Sequence, residues 1–141
     1  MTGSVLFACN MNSVRSPMAA ALLRLEGGPG ARVDSAGVYE GGLDPFAEIV
    51  MRELGASLES HEPKTLANTD LSGFGAIIAL TPEAAVEARR LAPEKTIEFW
   101  DLENPSETHG GRDAIVDAYR RVRDELVRKL RDRFPEICKK P

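Results

Sequence analysis

The chain is poor in the residues that mark several common architectures. It has two cysteines, Cys9 and Cys138, near opposite ends of 141 residues. Two cysteines so placed do not make a disulfide framework, and a cysteine near the N-terminus fits a reducing compartment. The two histidines, His61 and His109, are isolated, so no metal-ligand cluster can be drawn and no metal or other cofactor is expected. No apolar run is long enough to span a bilayer, and the N-terminus lacks the basic segment and apolar core of a signal peptide. The expected location is the cytoplasm. Repeats, low-complexity tracts and linkers are absent. A net charge of −4 argues against a nucleic-acid or anionic-membrane partner, although it leaves room for a local positive site. What is present is ordinary: 43% hydrophobic and 28% charged residues, enough for one domain, 1–141, with a substantial core.

Apolar runs alternate with helix-like runs. Ser4–Ala8 reads as a short buried strand, and Ser16 to about Leu25 as a helix stopped by Gly27, Gly28 and Gly30. Arg32–Ser35 reads as a second strand. Pro45 to about Leu54 reads as a helix capped by Asp44, ended by Gly55 and buried through Phe46, Ile49, Val50 and Leu54. Ala76–Leu80 is a third strand, followed by a helix from Thr81 or Pro82 to about Leu91. Thr96–Trp100 is a fourth, with Trp100 expected in the core. After a loop at 101–111, a long helix from about Arg112 to Phe134 carries Ile115, Tyr119, Val122, Leu126 and Leu130 on one face, and its charged residues are expected in solvent. This alternation predicts an α/β sandwich with a four-stranded parallel sheet and helices on both faces.

One stretch carries chemistry. Cys9 ends the first strand, Arg15 follows after five residues, and Ser16 and Pro17 lead into the helix. A helix N-terminus exposes unpaired N–H groups and partial positive charge, and a loop closing onto it can turn further amides inward around a phosphate. A thiol at that mouth sits in a field favouring thiolate, the nucleophilic form. Arg15 adds a planar fork of donors suited to two phosphoryl oxygens. Ser16 is expected to cap the helix with Pro17 at its first position, and its hydroxyl is within sequence reach of the Cys9 sulfur. Asn12 is expected to brace the loop through side-chain-to-backbone hydrogen bonds. Asn10, Met11, Asn12, Ser13, Val14 and Arg15 are thus the expected phosphate-binding residues. His61 is read as a surface-loop histidine, and Asp44–Pro45 as a helix cap rather than a catalytic pair.

The segment from Cys9 to Leu23, CNMNSVRSPMAAALL, resembles the phosphate-binding loop and first helix of the low-molecular-weight protein tyrosine phosphatases. The thioredoxin-coupled arsenate reductases share that loop and fold. Asp34–Gly37, Asp44–Pro45, Asp70–Phe74 and Ala118–Arg120 extend the resemblance over nearly the whole chain. It implies strand order 2-1-3-4 and a site at the carboxyl ends of the strands, at the switch point beside the first. It also implies a phosphomonoesterase, phosphotyrosine-type, that forms a phosphocysteine on Cys9. The implied partners are a phosphorylated protein or a small aryl phosphate, with inorganic phosphate or a similar oxyanion in the loop.

Two departures from the family pattern bear on function. The family's general acid is an aspartate before proline on the loop after the fourth strand, and the matching position here is Asn104, before Pro105. Asp101 and Glu103 are nearby carboxylates that could replace it, or could belong to a solvated turn. The aromatic wall is thin, with Tyr39 the main candidate. Val14 stands where many relatives carry a second loop cysteine, which implies irreversible oxidation of Cys9 by peroxide. Two other functions stay open. One is arsenate reduction with an external thiol, since the segment after the third strand lacks the relay cysteines. The other is a phosphate- or phosphopeptide-binding module with little catalysis.

Overall fold

A computed structural model of the chain describes residues 4–28 and 30–138. Four strands, β1 (Ser4–Cys9), β2 (Arg32–Gly37), β3 (Ala76–Ala79) and β4 (Ile97–Phe99), form one parallel sheet in the order β2-β1-β3-β4. Four helices alternate with them: α1 (Arg15–Gly27), α2 (Pro45–Arg52), α3 (Pro82–Leu91) and α4 (Arg112–Arg133). The boundaries expected from the sequence hold to within two residues. Among the described residues, no helix is long and apolar enough to cross a membrane.

β1 is central and buried along its whole length. Successive side chains of a strand point to opposite faces. Val5, Phe7 and Cys9 therefore face α1, α2 and α4, while Leu6 and Ala8 face α3. The two cores differ in bulk. The first is filled by Met18, Leu22, Met51, Tyr119 and Leu126, and the second by Ala84, Ala85 and Ala88 of α3 against Ile77 and Ala79. The small residues of α3 let that helix lie close to the sheet. α1 is buried continuously from Ser16 to Leu23, which suits a helix packed against both the sheet and α4.

Asp44 caps α2 as expected, accepting from the main-chain N–H groups of Phe46 and Ala47 at 2.8 and 3.2 Å. The buried face of α2 is only partly the expected one, with Val50 buried and Phe46 packed against the core. Ala47, Val50 and Met51 are fully buried, Phe46 and Ile49 are half-buried, and Leu54 lies past the helix end, exposed. Three- and four-residue spacing fits both stripes, and the larger side chains of Phe46 and Leu54 favour the wrong one on hydrophobicity alone. The helix stops at Arg52, and the chain reverses at Gly55, where φ is +83° and a side chain would be strained. α4 buries the expected stripe, with Ile115 half-buried. Its charged residues are not all in solvent. Arg123 is 7% exposed and donates to Val50 O and Glu53, at 2.9 and 2.6 Å. Trp100 is half-buried against the larger core, its ring 6.1 Å from that of Phe7.

Candidate active site

The loop between β1 and α1 is held from outside by its carbonyls. Val38, Tyr39 and Gly41 donate their main-chain N–H groups to the carbonyls of Cys9, Asn10 and Met11, at 3.0, 2.8 and 2.7 Å. His61 Nε2 lies 2.9 Å from the carbonyl of Asn12. That oxygen can only accept, so Nε2 carries the proton. In a trans peptide the N–H points opposite to the preceding C=O. The amides of residues 10 to 13 therefore face away from the β2 loop. Among the described residues, the main-chain N–H groups of residues 10–14 make no hydrogen bond. This is the arrangement an anion-binding loop requires.

Asn12 fixes the loop's shape. Its φ of +52° is a left-handed conformation that asparagine tolerates better than most residues. The side chain is fully buried, donates to Ser16 Oγ and Ser35 Oγ at 2.9 and 3.0 Å, and accepts from the N–H of Lys64 at 2.9 Å. Gly37 admits the loop at this point, because a Cβ there would sit 2.7 Å from Asn12 N.

Ser16 does not cap the helix. α1 begins at Arg15 with Val14 in the cap position and no side-chain cap bond, so Pro17 is the third helical residue rather than the first. The Ser16 hydroxyl is used elsewhere, 2.9 Å from Cys9 Sγ. Asn12 donates to Ser16 Oγ, and the serine proton is left for the Cys9 sulfur or for Ala36 O, which lies 3.5 Å away. The uncapped first turn keeps its N–H groups available to a ligand.

Cys9 is only 3% exposed, yet it lines a pocket of about 170 Å³. A thiol lining a narrow pocket shows little surface to solvent. Asn10, Met11, Ser13, Val14 and Arg15 line the same pocket from the loop, Tyr39 from the segment after β2, and Asn104 and Ser106 from the segment after β4. Arg15 donates to Leu102 O at 3.1 Å and, among the described residues, forms no ion pair. Its remaining donors are available to an oxyanion. The Asn10 amide is tied to the start of α3, accepting from Thr81 Oγ1 at 2.6 Å and donating to Glu83 Oε1 at 2.7 Å.

The loop after β4 brings Asn104 to the pocket but not the nearby carboxylates. Asp101 is exposed and outside the lining, and Glu103 faces Arg121 at 3.5 Å. Tyr39 is 58% exposed at the rim. His61, expected on a surface loop, is instead half-buried against the phosphate-loop backbone. Local sequence gives no sign of this contact, because 49 residues separate His61 from Asn12. A larger cleft, of about 330 Å³, lies beside the Asp34–Lys64 ion pair, and no cysteine lines it. Among the described residues, no cluster of histidine, cysteine and acidic side chains is arranged to hold a metal ion.

Comparison with known proteins finds relatives over nearly the whole chain. The family model described as "Low molecular weight phosphotyrosine protein phosphatase" matches residues 4–140. A protein-arginine-phosphatase of Geobacillus stearothermophilus is 34% identical over 146 aligned positions, covering 94% of this chain and 93% of that protein. An arsenate reductase of Bacillus licheniformis is 31% identical over 138, covering 94% and 95%. The crystal structure of a tyrosine phosphatase from Erwinia amylovora superposes with a TM-score of 0.78 at 24% identity, covering 94% of this chain and 93% of the other.

Proposed function

Since the chain belongs to the low molecular weight phosphotyrosine protein phosphatase family, we propose that it hydrolyses phosphate monoesters through a phosphocysteine on Cys9. The observation that carries this reading is the Ser16 hydroxyl 2.9 Å from Cys9 Sγ, beneath a loop whose carbonyls are held from outside and whose amides are free. The thiolate attacks phosphorus in line with the departing oxygen. The loop amides and Arg15 take the charge on the equatorial oxygens, and preorganised electrostatics of this kind usually contributes more to phosphoryl transfer than any other effect. Water then cleaves the P–S bond and returns the thiolate, stabilised by Ser16. A phosphorylated protein or a small aryl phosphate is the substrate, with Tyr39 and Met11 forming the exposed apolar rim.

The test is turnover of 4-nitrophenyl phosphate. Cys9→Ser should abolish it. Arg15→Ala should lower kcat/KM by about 10²–10³-fold, the usual cost of removing one donor to a developing oxyanion. Full activity in Cys9→Ser refutes the reading.

Arsenate reduction is a second reading, favoured by the arsenate reductase relatives and by the likeness of the two oxyanions. Cys138 is a poor relay. Its sulfur packs 3.5 Å from Leu130 O at the end of α4, and burial, then the Glu26 carboxylate, push its thiol above the ordinary value. Reduction would therefore draw on an external thiol, and arsenate-dependent oxidation of glutathione tests it.

A further inference from the structure

We infer that the substrates suited to this site are acyl phosphates, mixed anhydrides of a carboxylic acid and phosphoric acid; the inference rests on the phosphoryl-transfer reading above. The departing oxygen is what distinguishes substrate classes here. Among the described residues, no carboxylate, imidazole or ammonium group lines the pocket. The loop after β4 brings Asn104 to the pocket, and the orientation of its amide is fixed. The main-chain N–H of Ser106 can only donate, and it reaches Asn104 Oδ1 at 3.1 Å, with Ser106 Oγ at 2.7 Å from the same oxygen. Oδ1 is thereby committed to starting the short 3₁₀ turn at Pro105–Glu107. The Nδ2 group is left, with no partner among the described residues. It is a hydrogen-bond donor that cannot give up its proton. Such a donor stabilises a leaving oxygen that stays anionic and does little for one that must be protonated.

The two leaving-group classes differ widely in basicity. A carboxylic acid resembles the aspartate side chain, with a pKa of about 3.9, whereas a phenol resembles tyrosine, at about 10. A general acid is worth about 10²–10⁴-fold to a basic leaving group and little to a carboxylate. In the first step the Cys9 sulfur forms the P–S bond while the P–O bond to the acyl group breaks. The bonding pair leaves on the carboxylate, and no proton is needed. In the second step water attacks phosphorus, the P–S pair returns to sulfur, and the proton released by water passes to the phosphate product or to solvent.

Benzoyl phosphate and phenyl phosphate test the idea as a matched pair, with 4-nitrophenyl phosphate as the reference and spontaneous hydrolysis subtracted. The wild type should favour benzoyl phosphate over phenyl phosphate by at least about 10²-fold in kcat/KM. Asn104→Asp should raise phenyl phosphate turnover by about 10-fold or more and lower that of benzoyl phosphate, because it removes the Nδ2 donor. Equal rates on the two compounds in the wild type, or a rise for both in Asn104→Asp, overturn the inference while the Cys9 reading stands. No Cys9-dependent turnover of any of the three, 4-nitrophenyl phosphate included, overturns both. Acetyl phosphate and a phosphoaspartyl protein then separate a small-molecule source of the acyl phosphate from a protein one.

Discussion

Replacing Asn12 by alanine should damage both stability and catalysis, and the structure sets the size of each effect. Three hydrogen bonds are lost: two donated to Ser16 and Ser35, and one accepted from Lys64 N–H. All lie in buried or half-buried surroundings. A typical net value of about 1 kcal/mol per bond gives about 3 kcal/mol. Holding alanine at φ +52° adds up to about 1 kcal/mol. The total is a large part of the roughly 5–15 kcal/mol that stabilises a domain of this kind. Urea unfolding followed by circular dichroism measures it as a lowered midpoint at unchanged slope. Asn12→Gly relieves the backbone but not the lost bonds, and should recover at most about 1 kcal/mol. Catalysis falls by a separate route. Without Asn12, neither the loop amides nor the Ser16 hydroxyl is held in register, and misplacement by about 1 Å costs about 10²-fold in rate. An Asn12→Ala protein within about 1 kcal/mol of wild type and within about 3-fold in kcat/KM would show that the network does not hold the loop.

Other expectations follow from the same contacts. Tyr119→Phe removes a 2.8 Å bond to the Asp44 carboxylate that also caps α2, and should cost about 1–2 kcal/mol in urea unfolding with activity little changed. Arg123→Met keeps the volume but loses the bonds to Val50 O and Glu53, and should cost about 1–2 kcal/mol by the same measurement. Hydrogen bonds from Arg120, then Arg123, hold the Glu53 carboxyl at about 2 against an ordinary 4.5. A depressed folded-state value means stability that is present above pH 4.5 and lost as pH falls toward 2, so Glu53→Gln should flatten the acid limb of the stability profile in that window. With Val14 beside it in place of a resolving cysteine, Cys9 exposed to peroxide should lose activity that dithiothreitol does not restore, and mass spectrometry should show sulfinic or sulfonic acid.

Features that depend on neighbours along the chain are legible in the sequence. The strand, polar loop and helix from Ser4 to Leu25 reveal the site because each piece is specified within a few residues. Asp44 as a cap and Thr81 as a start of α3 follow from the residues just after them; the structure gives Thr81 a bond from Ala84 N at 3.0 Å. Features that depend on distant segments stay hidden. The brace on Asn12 comes from residues 35, 61 and 64, and no local pattern couples those positions to the loop. Ser16 satisfies the cap rule by its place before Pro17, but its hydroxyl is bound to Cys9 and Asn12 instead. Arg123 does carry a signal. It lies four residues after Tyr119 and three before Leu126, on the apolar stripe, so a partner within the fold is to be expected there.

The two halves of the site are built independently, and this decides which changes the fold can absorb. The loop cradle, residues 9–16, is braced by residues 35–41 and 61–64 and by the bonds of the Asn10 amide to Thr81 and Glu83 at the start of α3. The leaving-group side is residues 101–108, joined to the cradle by the Arg15–Leu102 O bond, which uses only the main chain of its partner. Side chains at 101, 103 and 104 can therefore change without disturbing the loop amides, provided Leu102 and Pro105 stay buried. A change at Asn12, Ser16 or Gly37 has no such freedom, since each is enclosed by backbone or by the nucleophile itself. On the proposed function, the cradle holds the tetrahedral anion, while the outer loop, with Tyr39 and Met11 at the rim, faces what departs from it. On that reading, a single substitution at Asn104 should alter the preference among leaving groups and leave affinity for inorganic phosphate in place.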